Sequence, residues 1–120
     1  MPLKYSVVIP LKDEEENIEI LVNEIAPVMK ELNCPWELLC VDDGSTDGTI
    51  KKLKDLQIQH RELKILAFDK NYGQSSAFDA GFRNAKGEFI ITMDGDLQND
   101  PKDIPALVEK VESYDLICGY

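Results

Sequence analysis

The sequence is poor in the residues that do most redox, metal and nucleophilic work. It has a single histidine, His60, and no Cys-x-x-Cys or Cys/His spacing that would hold zinc. Its three cysteines, Cys34, Cys40 and Cys118, are an odd number with two inside apolar runs, which argues against a disulfide framework and for a reducing, cytosolic setting. No apolar stretch approaches the roughly 20 residues needed to cross a bilayer, and Met1-Pro2-Leu3-Lys4 leads only into a run of strand length, so neither a membrane anchor nor a signal peptide is expected. Positive charge is scarce as well. The 13 Lys plus Arg against 23 Asp plus Glu leave a net charge of -10, which repels a polyanion and speaks against nucleic acid as a partner. An anionic ligand would need that sign reversed locally, as a divalent cation held by a few of the carboxylates would do; acids also serve simply to keep a surface soluble. The sequence has no GxGxxG, GxxxxGK[ST] or GxSxG pattern.

What is present is enough apolar residue, 43% of 120, for one packed domain and too little chain for two. Short β-rich runs alternate with longer amphipathic ones. Strands are expected at Tyr5–Pro10, Trp36–Asp42, Leu63–Phe68, Glu88–Met93 and Asp115–Cys118. Helices are expected at about Glu14–Asn33, Asp47–Gln59, Gln74–Ala85 and Pro101–Ser113. His60, among Gln59, Arg61 and Glu62, reads as a solvated helix end. The βαβαβαβαβ order implies an α/β fold: a mostly parallel, doubly wound sheet with helices on both faces. Ligands collect at the carboxyl ends of strands in such sheets, and the polar segments fall there: Pro10–Glu16, Asp42–Gly48, Asp69–Gln74 and Asp94–Pro101. Tyr120 follows a strand with no closing helix, which is read as the first half of a larger domain.

The sharpest motif is Asp94-Gly95-Asp96-Leu97-Gln98, directly after an apolar strand. In extended chain, residues two apart face the same way, so Asp94, Asp96 and Gln98 can present three oxygen ligands to one point. Hard cations such as Mg²⁺ or Mn²⁺ take such ligands and leave other positions to water and phosphate oxygens. Gly95 lets the backbone turn or a pyrophosphate approach closely. The same residues also fit a polar turn in which Asn99 or Asp100 caps a helix starting at Pro101. After the second strand stands Val41-Asp42-Asp43-Gly44-Ser45-Thr46-Asp47-Gly48-Thr49. A carboxylate at a strand end accepts hydrogen bonds from the N–H edge of uracil or guanine, a role open to Asp42 or Asp43, while Ser45 or Asp47 suits a helix N-cap. Lys70-Asn71-Tyr72-Gly73-Gln74 opens the third helix, whose N-terminus can receive phosphate. Lys70 and Arg83 are cations expected near the cleft, with surface pairing as their alternative fate.

Taken in series, Ser6-Val7-Val8-Ile9-Pro10 with Glu14-Glu15-Glu16-Asn17-Ile18, Val41 to Thr49, Asn71-Tyr72-Gly73 and Met93 to Pro101 resemble family 2 glycosyltransferases of the GT-A fold. Asp-Gly-Asp-Leu-Gln with a Pro shortly after looks most like the polyprenyl-phosphate (dolichol-phosphate type) mannosyl- and glucosyltransferases. The resemblance spans nearly the whole sequence and implies a Rossmann-like, nucleotide-sugar-binding half over residues 1–120. It places Pro10, Glu14 and Asp42 around the nucleoside, with Asp42 the best candidate for the base. Asp43, Asn71, Gly73, Asp94 and Gly95 join them as nucleotide-contacting positions, and Asp94, Asp96 and Gln98 take Mg²⁺ or Mn²⁺. It further implies a UDP- or GDP-linked donor, a lipid-phosphate or saccharide acceptor, and an inverting displacement. General base, acceptor residues and any membrane-associating helices would lie beyond Tyr120, at the cytoplasmic face of a membrane in a longer protein, so these residues alone are expected to bind nucleotide weakly and catalyse nothing. Two positions depart from the family pattern: Lys12-Asp13 stand where an aromatic–Asn pair is usual, and Gln74 where Lys is common. Two other readings remain: a nucleotide-sugar-binding module without catalysis, and a phosphoacceptor receiver domain, which would need its acidic pair after strand one.

Overall fold

The computed structural model describes residues 3–93 and the backbone of 117–118. β1 (Tyr5–Leu11), α1 (Ile18–Glu31), β2 (Trp36–Asp42), α2 (Thr49–Gln59), β3 (Leu63–Ala67), α3 (Gln74–Asn84), β4 (Phe89–Thr92) and β5 (Ile117–Cys118) follow one another along the chain. The expected fourth helix and residues Asp115 and Leu116 of the expected last strand lie outside the described residues. The five strands form one sheet in the order β3-β2-β1-β4-β5, and every described pairing is parallel.

Central strands covered on both faces read as unbroken apolar runs, and Val7, Val8 and Ile9 of β1 are all fully buried. Alternate residues serve two cores. Tyr5, Val7, Ile9 and Leu11 face α1 and α2 through Ile18, Leu21, Ile25 and Leu53, while Val8, Leu39 and Val41 face Ala77 of α3. α3 lies close against the sheet at Gly81, where a methyl group would sit 2.4 Å from Val8 Cγ1. Helices thus cover opposite faces before and after the chain reverses direction across the sheet. The reversal falls between β1 and β4, and such a switch point opens a crevice at the carboxyl ends of its two strands. This order differs from the 2-1-3-4-5 order of receiver domains, so the receiver reading fails.

Pro10 sits within this central strand, where a missing N–H would ordinarily break a ladder. It is tolerated because pairing of β1 with β4 runs only from Tyr5↔Phe89 to Val8↔Thr92, extended by Met93 N–H to the Val8 carbonyl at 3.1 Å. Val8 and Pro10 point to the same side of β1, so the absent donor falls in the crevice, past the described ladder.

Within the described residues the expected elements recur with shifted ends. The largest shift is at α1, which begins at Ile18 rather than near Glu14; residues 14–17 form a turn in which Asn17 and Ile18 N–H both donate to the Glu14 carbonyl, at 3.1 and 2.9 Å. Arg83, expected near the cleft, lies in the last turn of α3, at the opposite end of the sheet, and pairs with Asp79 at 3.1 Å. His60 closes α2 as its C-cap, as expected of a helix end, but it is half-buried with both ring nitrogens shielded from solvent, so it is not the solvated end expected.

Candidate functional site

Three described loops meet at the carboxyl edge of the sheet, following β1, β2 and β3. The first two are laced together by bonds that the local sequence favours. Asp13 adopts φ 52, a left-handed conformation that Asp and Asn tolerate better than other side-chain-bearing residues. This turns its N–H onto Ser45 Oγ and its carboxylate onto the Thr46 N–H, both at 2.8 Å. Lys12 Nζ donates to the Gly44 carbonyl at 2.8 Å and lies 3.6 Å from the Asp13 carboxylate. Glu14 N–H donates to Thr49 Oγ1 at 3.0 Å, and Gly48 N–H to Glu15 Oε2 at 2.8 Å. The acids after β1 therefore take part in cross-loop bonding before any helix begins.

Asp47 caps α2 from one position outside it: its Oδ1 accepts the Thr49 N–H at 3.0 Å and the Thr49 hydroxyl, with Gly48 as the N-cap residue. Desolvation raises the Asp47 carboxyl, but the Thr49 hydroxyl and N–H and the Glu15 N–H outweigh it, leaving the group below its ordinary value.

Asp42 and Asp43, adjacent in sequence, are both buried and hold different partners. Asp42 accepts the Ser45 N–H at 3.1 Å on one oxygen and the Ser45 hydroxyl on the other, closing the turn. One bond per oxygen leaves acceptor capacity on each. Asp43 instead reaches across to the loop after β3, accepting the Tyr72 N–H at 2.7 Å and the Gly73 N–H at 2.9 Å. Gly44, at φ 70, lets that loop pass against it, since a methyl group there would lie 2.4 Å from the Lys70 carbonyl carbon. Asn71 Oδ1 also accepts the Gly73 N–H, at 3.0 Å, and Gly73 takes φ 103 immediately before α3.

Tyr72 is half exposed beside this junction, its hydroxyl on Asp69 at 3.0 Å, its ring edge-on to Phe68, and the Lys70 ammonium 5.3 Å from its centroid. Asp69, as hydrogen-bond acceptor and as a nearby charge, holds the phenol above its ordinary range.

Of the sequence-derived site residues, Pro10, Glu14, Asp42, Asp43, Asn71 and Gly73 come together at this edge. Glu14 is half-buried, with Oε2 accepting Asn17 Nδ2 at 3.0 Å. Asp94, Gly95, Asp96 and Gln98 lie outside the described residues. They follow Met93, whose N–H to Val8 ends the described ladder beside the crevice. Their donor set, two carboxylates and an amide oxygen, fits a hard divalent cation. Among the described residues, no group of three or more His, Cys, Asp or Glu is placed to hold a metal, and no helix is long and apolar enough to cross a membrane. The sequence reading missed Lys12, Asp13, Glu15 and Ser45 as the lacing between loops. Asp-x-Thr at 47–49 and Asp-x-x-Ser at 42–45 are self-bonding turn patterns that signal the shape of the second loop, but not its bonds to the first.

The description Glycosyl transferase family 2 matches residues 6–119. The dodecaprenyl-phosphate galacturonate synthase of Rhizobium johnstonii is 43% identical over 98% of this chain, which corresponds to 36% of that protein. An undecaprenyl-phosphate 4-deoxy-4-formamido-L-arabinose transferase of Proteus mirabilis is 42% identical over 95% of the chain and 36% of its own length. The chain thus spans about a third of the curated relatives it matches. Among solved structures, the mannosyltransferase PcManGT from Pyrobaculum calidifontis in complex with GDP-Man and Mn²⁺ superposes with a TM-score of 0.75 at 24% identity, over 92% of this chain and 34% of that one. Staphylococcus aureus TarS 1-349 in complex with UDP-GlcNAc gives 0.74 at 24% identity, over 93% and 32%. These likenesses establish the shared GT-A fold.

Proposed function

Because the chain belongs to glycosyl transferase family 2, we propose that it forms the nucleotide-sugar-binding half of an enzyme that moves a sugar from a UDP- or GDP-linked donor to a polyprenyl phosphate. The observation that carries this reading is the carboxyl edge itself: Pro10, Glu14, Asp42, Asn71 and Gly73, from three loops, gather beside the strand that leads into Asp94. Relatives named for polyprenyl-phosphate substrates and fold neighbours holding UDP-GlcNAc or GDP-Man support the donor and acceptor classes.

In this reading, Asp42 accepts the N–H edge of the base on the lone pairs that Ser45 leaves open, and Pro10 and Glu14 flank the nucleoside. Asn71 and Gly73 line the phosphate side, and Gly95 allows the diphosphate close to the backbone. Asp94, Asp96 and Gln98 would hold Mg²⁺ or Mn²⁺, which when bound supplies charge neutralisation for the departing diphosphate. The acceptor oxygen attacks the sugar C1 from the face opposite the nucleotide, the C1–O bond to the diphosphate breaks, and configuration inverts. A phosphate acceptor is already ionised and requires little base assistance. In this reading, acceptor binding and association with a membrane would fall to parts of the enzyme other than this half, and the chemistry would proceed at the cytoplasmic face.

Calorimetric titration of the chain with UDP, GDP and their sugars, with and without Mn²⁺, tests this. Metal-dependent binding that Asp96→Ala abolishes is the expected result; equal affinity without metal, or no binding at all, overturns it.

A further inference from the structure

The adjacent carboxylates Asp42 and Asp43 look interchangeable in sequence, and the geometry points to a division between them: we infer that Asp43 is a positioning residue that fixes the loop after β3, through bonds that Asp42 does not make. Its two oxygens accept two consecutive backbone amides, one each, Tyr72 N–H at 2.7 Å and Gly73 N–H at 2.9 Å, in the manner of a chelate. Asp42 and Asp43 are both buried, so their partners, not their exposure, separate the two. Charge-assisted bonds of this kind are about twice as strong as neutral ones, and two on one carboxylate fix a direction as well as a distance.

What Asp43 fixes is the part of the loop that carries Asn71 and Gly73. No helix or strand contains residues 68–73, and the loop is pinned elsewhere by Phe68 N–H on the Asp42 carbonyl at 2.9 Å. Gly44 provides the matching contact surface, pressed against the Lys70–Asn71 backbone. Position 43 therefore controls where Asn71 and Gly73 stand at the site, from 29 to 30 residues away in sequence. The ligand side of this inference rests on the proposed nucleotide-sugar function; the positioning side does not.

The two are tested together and separately on the chain itself. Amide hydrogen exchange of wild type comes first: Tyr72 and Gly73 N–H should be protected although their residues lie in a loop, and free exchange at both overturns the assignment. In Asp43→Asn, where an amide NH₂ faces one of the two donors, both should exchange about tenfold faster or more, and Mn²⁺-dependent affinity for UDP or GDP should fall about tenfold. Glu37→Gln is the stability control. Glu37 is a buried carboxylate at the opposite end of the sheet, accepting the Ser6 hydroxyl at 2.6 Å and the Lys86 N–H at 2.7 Å. It should lower stability and leave nucleotide affinity unchanged, which separates a loss of stability from the loss of affinity expected of Asp43→Asn. If affinity falls in Asp43→Asn while Tyr72 and Gly73 remain as protected as in wild type, Asp43 is a direct ligand contact and the inference is overturned. Should wild type bind no nucleotide, the functional proposal fails, and the exchange data still decide the positioning role. Should Asp43→Asn not fold, the wild-type exchange still decides the positioning role: protection at both amides supports it, and free exchange at both overturns it.

Discussion

The Thr46 N–H donates to the Asp13 carboxylate at 2.8 Å across 33 residues of sequence, and Asp13 reaches it only because its own backbone is left-handed, at φ 52. One residue thus supplies both a turn and a tether between the loops after β1 and β2. Asparagine keeps the left-handed tolerance and an acceptor oxygen, whereas alanine keeps neither. Asp13→Asn should be close to neutral in stability, and Asp13→Ala should cost about 1–2 kcal/mol, from the lost bond and the backbone strain together. Urea denaturation of both variants measures the difference; equal costs would mean the carboxylate charge, not the geometry, matters.

Gly81 makes a second prediction. A methyl group there would sit 2.4 Å from Val8 Cγ1, on a central strand buried on both faces. Gly81→Ala must push α3 off the sheet or force Val8 from its rotamer, a change of the overpacking kind that costs about 1–3 kcal/mol. The usual helix-propensity gain of alanine over glycine, about 1 kcal/mol, is therefore reversed in sign. Adding Val8→Ala should recover part of the loss, and thermal unfolding of the single and double variants provides the measure.

Periodicity made the sheet and helices legible where packing follows local pattern. Leu21, Val22, Ile25 and Met29 share one buried face of α1, and α3 ends within one residue of expectation. The start of α1 was not legible, because Glu14 and Glu15 are good helix formers whose N–H groups are claimed by Thr49 and Asp47 from another loop. The division between Asp42 and Asp43 was equally hidden. Asp42 finds its partner three residues on, a pattern visible in sequence, but the partners of Asp43 are 29 and 30 residues away. Arg83 was misplaced for a simple reason: α3 leaves the carboxyl edge at Gln74, so its last turn must lie at the far end. The candidate metal ligands were named from sequence and lie outside the described residues.

Tyr72 and Asp69 yield a pH prediction. The phenol donates to the Asp69 carboxylate at 3.0 Å, which favours the protonated form and raises its pKa from the ordinary 10.0. A group raised in the folded state contributes its stability below the unfolded value and loses it as pH climbs through the folded one. The contact is therefore intact at neutral pH and lost in strong alkali. Ultraviolet difference titration should show a late-ionising component in wild type that Tyr72→Phe removes, and that component should move down in Asp69→Asn. An identical curve for wild type and Asp69→Asn would show that the hydrogen bond is absent in solution.

Asp42 gives the sharpest test of how the base would be read. Uracil and guanine both present ring N–H donors on the edge that pairs, whereas the corresponding ring nitrogen of cytosine is an acceptor, which a carboxylate repels. With Ser45 occupying one lone pair on each Asp42 oxygen and orienting the group, the remaining capacity suits a donor and penalises an acceptor. Wild type should therefore bind UDP and GDP more tightly than CDP, by about tenfold or more for a charge-assisted bond of roughly 1.5–3 kcal/mol. Asp42→Ala should compress that ratio toward one while retaining dependence on Mn²⁺, because the diphosphate end is untouched. Asp96→Ala should do the reverse, removing the metal dependence without changing which base is preferred in whatever binding remains. If Asp42→Ala weakens UDP and CDP equally, the carboxylate only shapes the turn through Ser45, and base recognition must be sought elsewhere along the crevice.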